Sequence, residues 1–368
     1  MPDEVLKMLI AGLSVAVGGG VVAAVLLYTL GRGPLFNPVG PVEGAPRGVT
    51  VLAAFAAFIV TTPIVHSLLN SLGYFQRVYG EDFPAGWPPA AAETIRYLWS
   101  AVHAFPIQLT LLLVIRSVQA GFKGLVPNTA NGWARHVVAG YLTWLFVTPV
   151  AFCVFALANL AYAWLTGKPP DKHPLTALGD SGGTRDWAAF VLQTVLLAPI
   201  LEELLFRGIL LPWLAQTKRP EPNAPLSFQP ADRPLVVMLL SVGVAFVFHA
   251  NDVKVAWEAG DWYGVAAHLM PGAFFLALIP LDFWARRIGR VRRYLRVRSV
   301  QHARAIIASS ALFAAVHSQV WPSPVPLFVL AIGLGYLYMR TRSIVGPVVV
   351  HGMFNAVSAV YLLLGGPA

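Results

Sequence analysis

Across 368 residues the chain is 57% hydrophobic and 12% charged, against about 25% charged in an ordinary soluble domain, which excludes a water-soluble fold around a single core. Its 26 Lys and Arg outnumber 17 Asp and Glu for a net charge of +9, but the basic residues fall mostly between apolar stretches, where they read as topology signals rather than as a nucleic-acid surface. One cysteine, Cys153, excludes an intrachain disulfide, a paired-cysteine zinc site and a redox motif.

A helix needs about 20 mostly apolar residues to cross a bilayer, and ten stretches qualify: 8–30, 48–70, 95–116, 136–166, 187–215, 234–250, 264–284, 303–320, 325–340 and 343–364. The predicted fold class is therefore all-α, a polytopic bundle of about ten membrane helices. The first stretch is preceded by Asp3, Glu4 and Lys7, which is no basic signal-peptide head, so it reads as a retained helix. Loops one, three, five, seven and nine carry the Lys and Arg excess. Loop seven contributes most of it, with Arg286, Arg287, Arg290, Arg292, Arg293, Arg296, Arg298 and Arg304 and no intervening acid. Loops two and six hold Glu81, Asp82 and Glu93, and Asp252, Glu258 and Asp261. Basic loops face the cytoplasm, so the alternation puts both termini outside, in a cell (plasma) membrane, with the arginine run near anionic lipid.

Ionisable residues inside apolar spans are costly and usually functional. The fifth span holds three in six residues, Glu202, Glu203 and Arg207. Glu203 and Arg207 are i,i+4 neighbours in the favoured orientation for an ion pair. Glu202 is turned about 100° away and lacks that partner, which suits a general base. An isolated Glu-Arg pair would serve only to hold helices together; the second carboxylate shifts the reading toward chemistry. The eighth span carries His317, and the tenth carries His351 and Asn355 on one face, two donors able to converge as an oxyanion site does. No Asp or Glu follows Asp282, so a carboxylate serving these histidines comes from earlier in the chain.

Glu-Glu-x-x-x-Arg at 202–207, Phe-x-x-x-His at 313–317 and His-x-x-x-Asn at 351–355 resemble the motifs of the CAAX-processing and bacteriocin-processing (CPBP) intramembrane proteases, which include the type II CAAX prenyl endopeptidases. The connecting sequence from Ala308 to Ile344 is similar to the family's in character and spacing. The resemblance implies an intramembrane endopeptidase in which Glu202 and His317 activate water and His351 and Asn355 stabilise the oxyanion, with Glu203 and Arg207 in support. Its partners would be membrane lipid and a peptide or protein substrate, prenylated or leader-bearing, and not nucleic acid. No cofactor is required by the sequence, although zinc is chemically admissible, with Glu202, His317 and His351 as ligands.

The resemblance covers 187–363. It leaves 1–186 as membrane helices without a motif, and an insertion at about 217–303, two apolar spans and the basic loop, expected to be peripheral.

Other candidates are weaker. Gly179-Asp180-Ser181-Gly182-Gly183 matches the nucleophile segment of trypsin-like proteases but falls in a short loop, where these are turn formers. His249 imitates the second motif but has Ala245 where Phe is required. His66, His103 and His268 have no matched partners and read as structural or interfacial, and no His-Glu-x-x-His zinc signature occurs. A transporter or a catalytically silent scaffold is the alternative class, distinguished by whether the polar groups converge or spread along a path.

Overall fold

The computed structural model describes residues 46–81, 83–84, 88–121, 125–167, 183–216, 232–287 and 300–363. The apolar stretch at 8–30, most of the Gly179–Gly183 loop and most of the loop-seven arginine run lie outside these residues.

The described residues are helical throughout, without a strand. In chain order the helices are α1 (Gly48–Ser71), the short α2 (Tyr74–Tyr79), α3 (Pro89–Ala120), α4 (Ala130–Thr166), α5 (Thr184–Ala215), α6 (Arg233–Glu258), α7 (Trp262–Arg287), α8 (Val300–Ala315), α9 (Pro324–Thr341) and α10 (Val345–Leu363). Seven are long and apolar enough to cross a membrane, while α8 and α10 are shorter apolar helices. Every predicted span within the described residues is a helix, and the protein is an all-helical integral membrane protein. Outward residues such as Leu52, Ile59, Ile64 and Leu68 on α1 are exposed, as a lipid-facing surface requires.

At the centre stands α5, in which every residue from Glu203 to Ala215 is buried; a helix apolar on all sides belongs in an interior. Around it, α10 packs on its middle and on α4, while α8 packs on its last turn and also touches α6 and α9. Helices α6 and α7 form one hairpin, and α1 pairs with α3. The chain between them does not keep α8 from α5, which remain in contact.

Arg304, counted above in loop seven, and Arg233, in the chain between α5 and α6 that counts as basic loop five, prove to be helical and buried. Arg233 opens α6 and donates to Trp213 O and Gln216 Oε1, both at 2.9 Å, tying the new helix to the end of α5. Arg304 is likewise buried, within α8. Charge counting alone does not separate an arginine that flanks a span from one that caps the neighbouring helix.

Candidate active site

The site grows out of irregularities in α5. Two stretches, Gln193–Leu197 and Leu204–Leu210, are π-helical, a feature often found at functional sites. Proline explains both. The Ala198 N–H bonds Gln193 O, so Thr194 O would look next to residue 199. That residue is Pro199, which has no N–H. The orphaned Thr194 carbonyl instead accepts from Asn355 Nδ2 of α10 at 2.8 Å. Pro199 also removes the α-helical donor for Val195 O, and α10 approaches that carbonyl so closely that a Cβ on Gly352 would lie 2.6 Å from it. Downstream, Pro212 leaves Gly208 O without its donor, and Arg116 Nε of α3 supplies one at 2.9 Å.

Between the two proline breaks lies the double glutamate. Glu203 (0% exposed) and Arg207 (1%) form the predicted i,i+4 pair, Nη1 donating to Oε1 at 2.8 Å. The same Oε1 meets His351 Nδ1 at 2.9 Å, so one buried carboxylate gathers a guanidinium from its own helix and an imidazole from α10. Arg207 Nη2 also donates to Ala331 O of α9 at 3.2 Å. With Nδ1 turned to Glu203, His351 presents Nε2 to Glu202 Oε2 at 3.9 Å. Glu202 is only half-buried and its Oε2 has no hydrogen-bond partner. The two adjacent carboxylates are thus in different environments, one fully buried and held through Oε1 by a guanidinium and an imidazole, the other less buried with its Oε2 unbonded beside the same imidazole.

His317 stands in the turn just beyond α8, not inside the span as predicted, because the helix ends at Ala315 and the chain tightens toward Pro322. Phe313 O accepts from its Nδ1 at 2.7 Å, leaving Nε2 as a lone-pair acceptor. Phe313, the first letter of the second motif, is the hub. Its ring lies 4.9 Å from that of His317, 5.6 Å from that of His351 and 4.7 Å from the Arg207 guanidinium. Of the six predicted residues, Glu202, Glu203, Arg207 and His351 are brought together by polar contacts and His317 joins them across Phe313, while the Asn355 side chain, one turn beyond His351, holds Thr194 O and bonds none of the other five. Glu202, His317 and His351 do not bring ligand atoms within 4.8 Å of one another as a metal-binding set; among the described residues, His249, Asp252 and His268 do.

Asp186, in the first turn of α5, was missed because nothing in the sequence pairs it. It is buried and receives Tyr79 Oη, Trp99 Nε1 at 3.0 Å and the Gly183 N–H at 3.1 Å. These contacts anchor the start of α5 to α2 and α3.

Residues 184–282 and 283–357 match the family model for type II CAAX prenyl endopeptidase Rce1-like proteins. No curated protein and no solved structure matched the chain.

Proposed function

Taking as premise that the region from 184 to 357 belongs to the Rce1-like family of type II CAAX prenyl endopeptidases, we propose that this CAAX-type protease is an intramembrane endopeptidase whose base is Glu202. The observation that carries the reading is the asymmetry of the double glutamate: Glu203 is fully buried with its Oε1 shared between Arg207 and His351, whereas Glu202 is less buried and its unbonded Oε2 lies 3.9 Å from His351 Nε2. A base must be free to accept a proton, and Glu203 is committed to its ion pair with Arg207 and its bond to His351, whereas Glu202 makes neither.

In the proposed reaction Glu202 and the His317 Nε2 lone pair accept hydrogen bonds from the attacking water, and Glu202 takes its proton as the oxygen adds to the scissile carbonyl. The carbonyl oxygen becomes an oxyanion, received by His351 and Asn355. In its protonated form His351 donates from both nitrogens, one to Glu203 and one toward the substrate. The cluster of two carboxylates, a guanidinium and an imidazolium then carries no net charge. Asn355 spends one N–H on Thr194 O, which fixes the amide plane and leaves the second N–H for the oxyanion. Collapse of the intermediate returns the proton from Glu202 to the leaving amine. The gathering of Glu202, Glu203, Arg207 and His351, with His317 next to them across Phe313, supports a hydrolase over a transporter, whose polar groups would spread along a path. No step is routed through a metal ion.

We place the substrate as a membrane-associated peptide, prenylated or leader-bearing, and the arginine-rich loop seven on the cytoplasmic face, with both termini outside. The test is cleavage of a membrane-peptide library by the purified protein in wild type and Glu202→Gln. A fall of ~10²–10⁴-fold in turnover, the usual contribution of a general base, is expected with the unfolding curve unmoved. Full activity in Glu202→Gln would overturn the assignment.

A further inference from the structure

The insertion between the first and second motifs contains a group of side chains that the proposed hydrolysis does not use. His249 and Asp252 lie three residues apart on α6, on one helix face, and His268 faces them from α7 across the tight Ala259–Asp261 turn. One ligand atom from each of the three lies within 4.8 Å of the others. His249 is buried, His268 half-buried and Asp252 exposed, so the group lies at the end of the hairpin with one side open to the surroundings.

The decisive atom is His249 Nδ1. His249 Nε2 lies 2.7 Å from Ser318 O; a carbonyl can only accept, so Nε2 carries the hydrogen. In the neutral ring Nδ1 is then a bare lone pair. It is buried, has no hydrogen-bond partner and lies 3.9 Å from Asp252 Oδ2. An acceptor nitrogen and a carboxylate oxygen do not attract each other; a cation between them makes both contacts favourable. Zinc binds imidazole nitrogen and carboxylate oxygen at about 2.0–2.2 Å, and two such ligands at a tetrahedral angle stand roughly 3.4 Å apart, close to the observed spacing. A metal-ligating histidine typically gives its other N–H to a backbone carbonyl or carboxylate, which is the role of Ser318 O here. The His268 ring, 6.0 Å from that of His249 by centroid, supplies the second nitrogen.

We propose that His249, Asp252 and His268 bind one divalent transition-metal ion of the zinc class, water completing the coordination, and that this ion locks α6 to α7. The lock has a direct line to the candidate active site. Ser318 follows His317, and Trp321 in the same turn packs with Ala267 and Phe274 of α7. The ion therefore helps hold the turn that presents His317, acting as a positioning element and not as a reactant.

The rival account is a protonated His249 paired with Asp252 alone, in which His268 is idle. Zinc content and zinc affinity of the full-length protein in detergent, measured after stripping and reloading with Zn²⁺, separate the two. Wild type should hold one zinc per chain, with a nitrogen and oxygen shell at about 2.0–2.1 Å by X-ray absorption. Asp252→Asn, an exposed change that spares folding, and His268→Gln should each weaken binding by at least the ~10–100-fold that losing an outer-shell partner costs. Zinc should raise the unfolding temperature of wild type and leave that of Asp252→Asn unmoved. Glu202→Gln should keep its zinc, which distinguishes this ion from one held by the hydrolytic residues. Absence of stoichiometric zinc in wild type, retention of affinity in His268→Gln, or loss of the ion in Glu202→Gln would each overturn the proposal, whether or not the protein cleaves peptides.

Discussion

Replacing Glu203 by glutamine keeps the shape of a fully buried side chain and deletes its charge. Its Oε1 accepts from Arg207 at 2.8 Å and from His351 at 2.9 Å, two bonds of the charge-assisted kind, worth about 1.5–3 kcal/mol each and roughly twice their neutral equivalents. Neutralising the acceptor therefore forfeits about 1.5–3 kcal/mol in the bonds alone. The Arg207 guanidinium is left uncompensated in an interior where breaking a buried pair costs about 3–5 kcal/mol in all. Glu203→Gln should accordingly lose stability by a few kcal/mol together with activity. Adding Arg207→Leu should recover part of the stability without restoring the rate, since the second change removes the stranded charge and leaves His351 without its carboxylate. Unfolding in mixed micelles, followed through the 11 tryptophans, and peptide cleavage measured in parallel would report both effects. The reasoning is refuted if Glu203→Gln matches wild type in stability while Glu202→Gln unfolds, which would exchange the two roles.

Asn355→Ala should cost about 1–3 kcal/mol, the penalty for an unsatisfied buried acceptor, by stranding Thr194 O. Pro199→Ala in the same chain supplies a backbone N–H at the break and should return part of that loss in the unfolding assay, without returning activity. Gly352→Ala should destabilise by about 1–3 kcal/mol through overpacking, because its Cβ would meet Val195 O at 2.6 Å; an unchanged unfolding midpoint would argue against so close a crossing of α5 and α10. Arg116→Leu should lower stability by a similar 1–3 kcal/mol by uncapping Gly208 O, whereas Arg116→Lys, which retains one donor, should lose less.

How far the sequence disclosed this arrangement differs from residue to residue. The helices were legible because their apolar runs are long, and Glu203 with Arg207 was legible because i,i+4 spacing brings them together within one helix. The contact of His351 with Glu203 spans 148 positions and follows from no local rule; the family motifs named both residues without pairing them. Phe313 was visible as a motif letter but not as the ring joining His317, His351 and Arg207. The π-helical turns were illegible as such, although Pro199 and Pro212 in an apolar helix were the available sign that some carbonyls would need outside donors. The buried places of Arg233 and Arg304 escaped because charge patterns record which residues are basic, not how they pack; for Arg233 the end of α5 is the receiver. His249 was weighed only as a counterfeit of the second motif, and its relation to His268 depends on a hairpin that the sequence marks weakly.

The Asp186 anchor turns α5 into a ruler. Tyr79 and Trp99 fix one end of the helix, and Glu202 follows sixteen positions later, about 24 Å along at ~1.5 Å per residue, in a hydrocarbon layer of about 30 Å. The depth at which a peptide would be cut is then a graduation on that scale. Lengthening α5 by one residue between Asp186 and Glu202 would shift the mark by about 1.5 Å and swing the carboxylate about 100° around the axis, so depth and aim cannot be adjusted separately. If the Asp186 end sits at the membrane surface, a substrate of the proposed peptidase would be measured from that surface before any of its side chains is read.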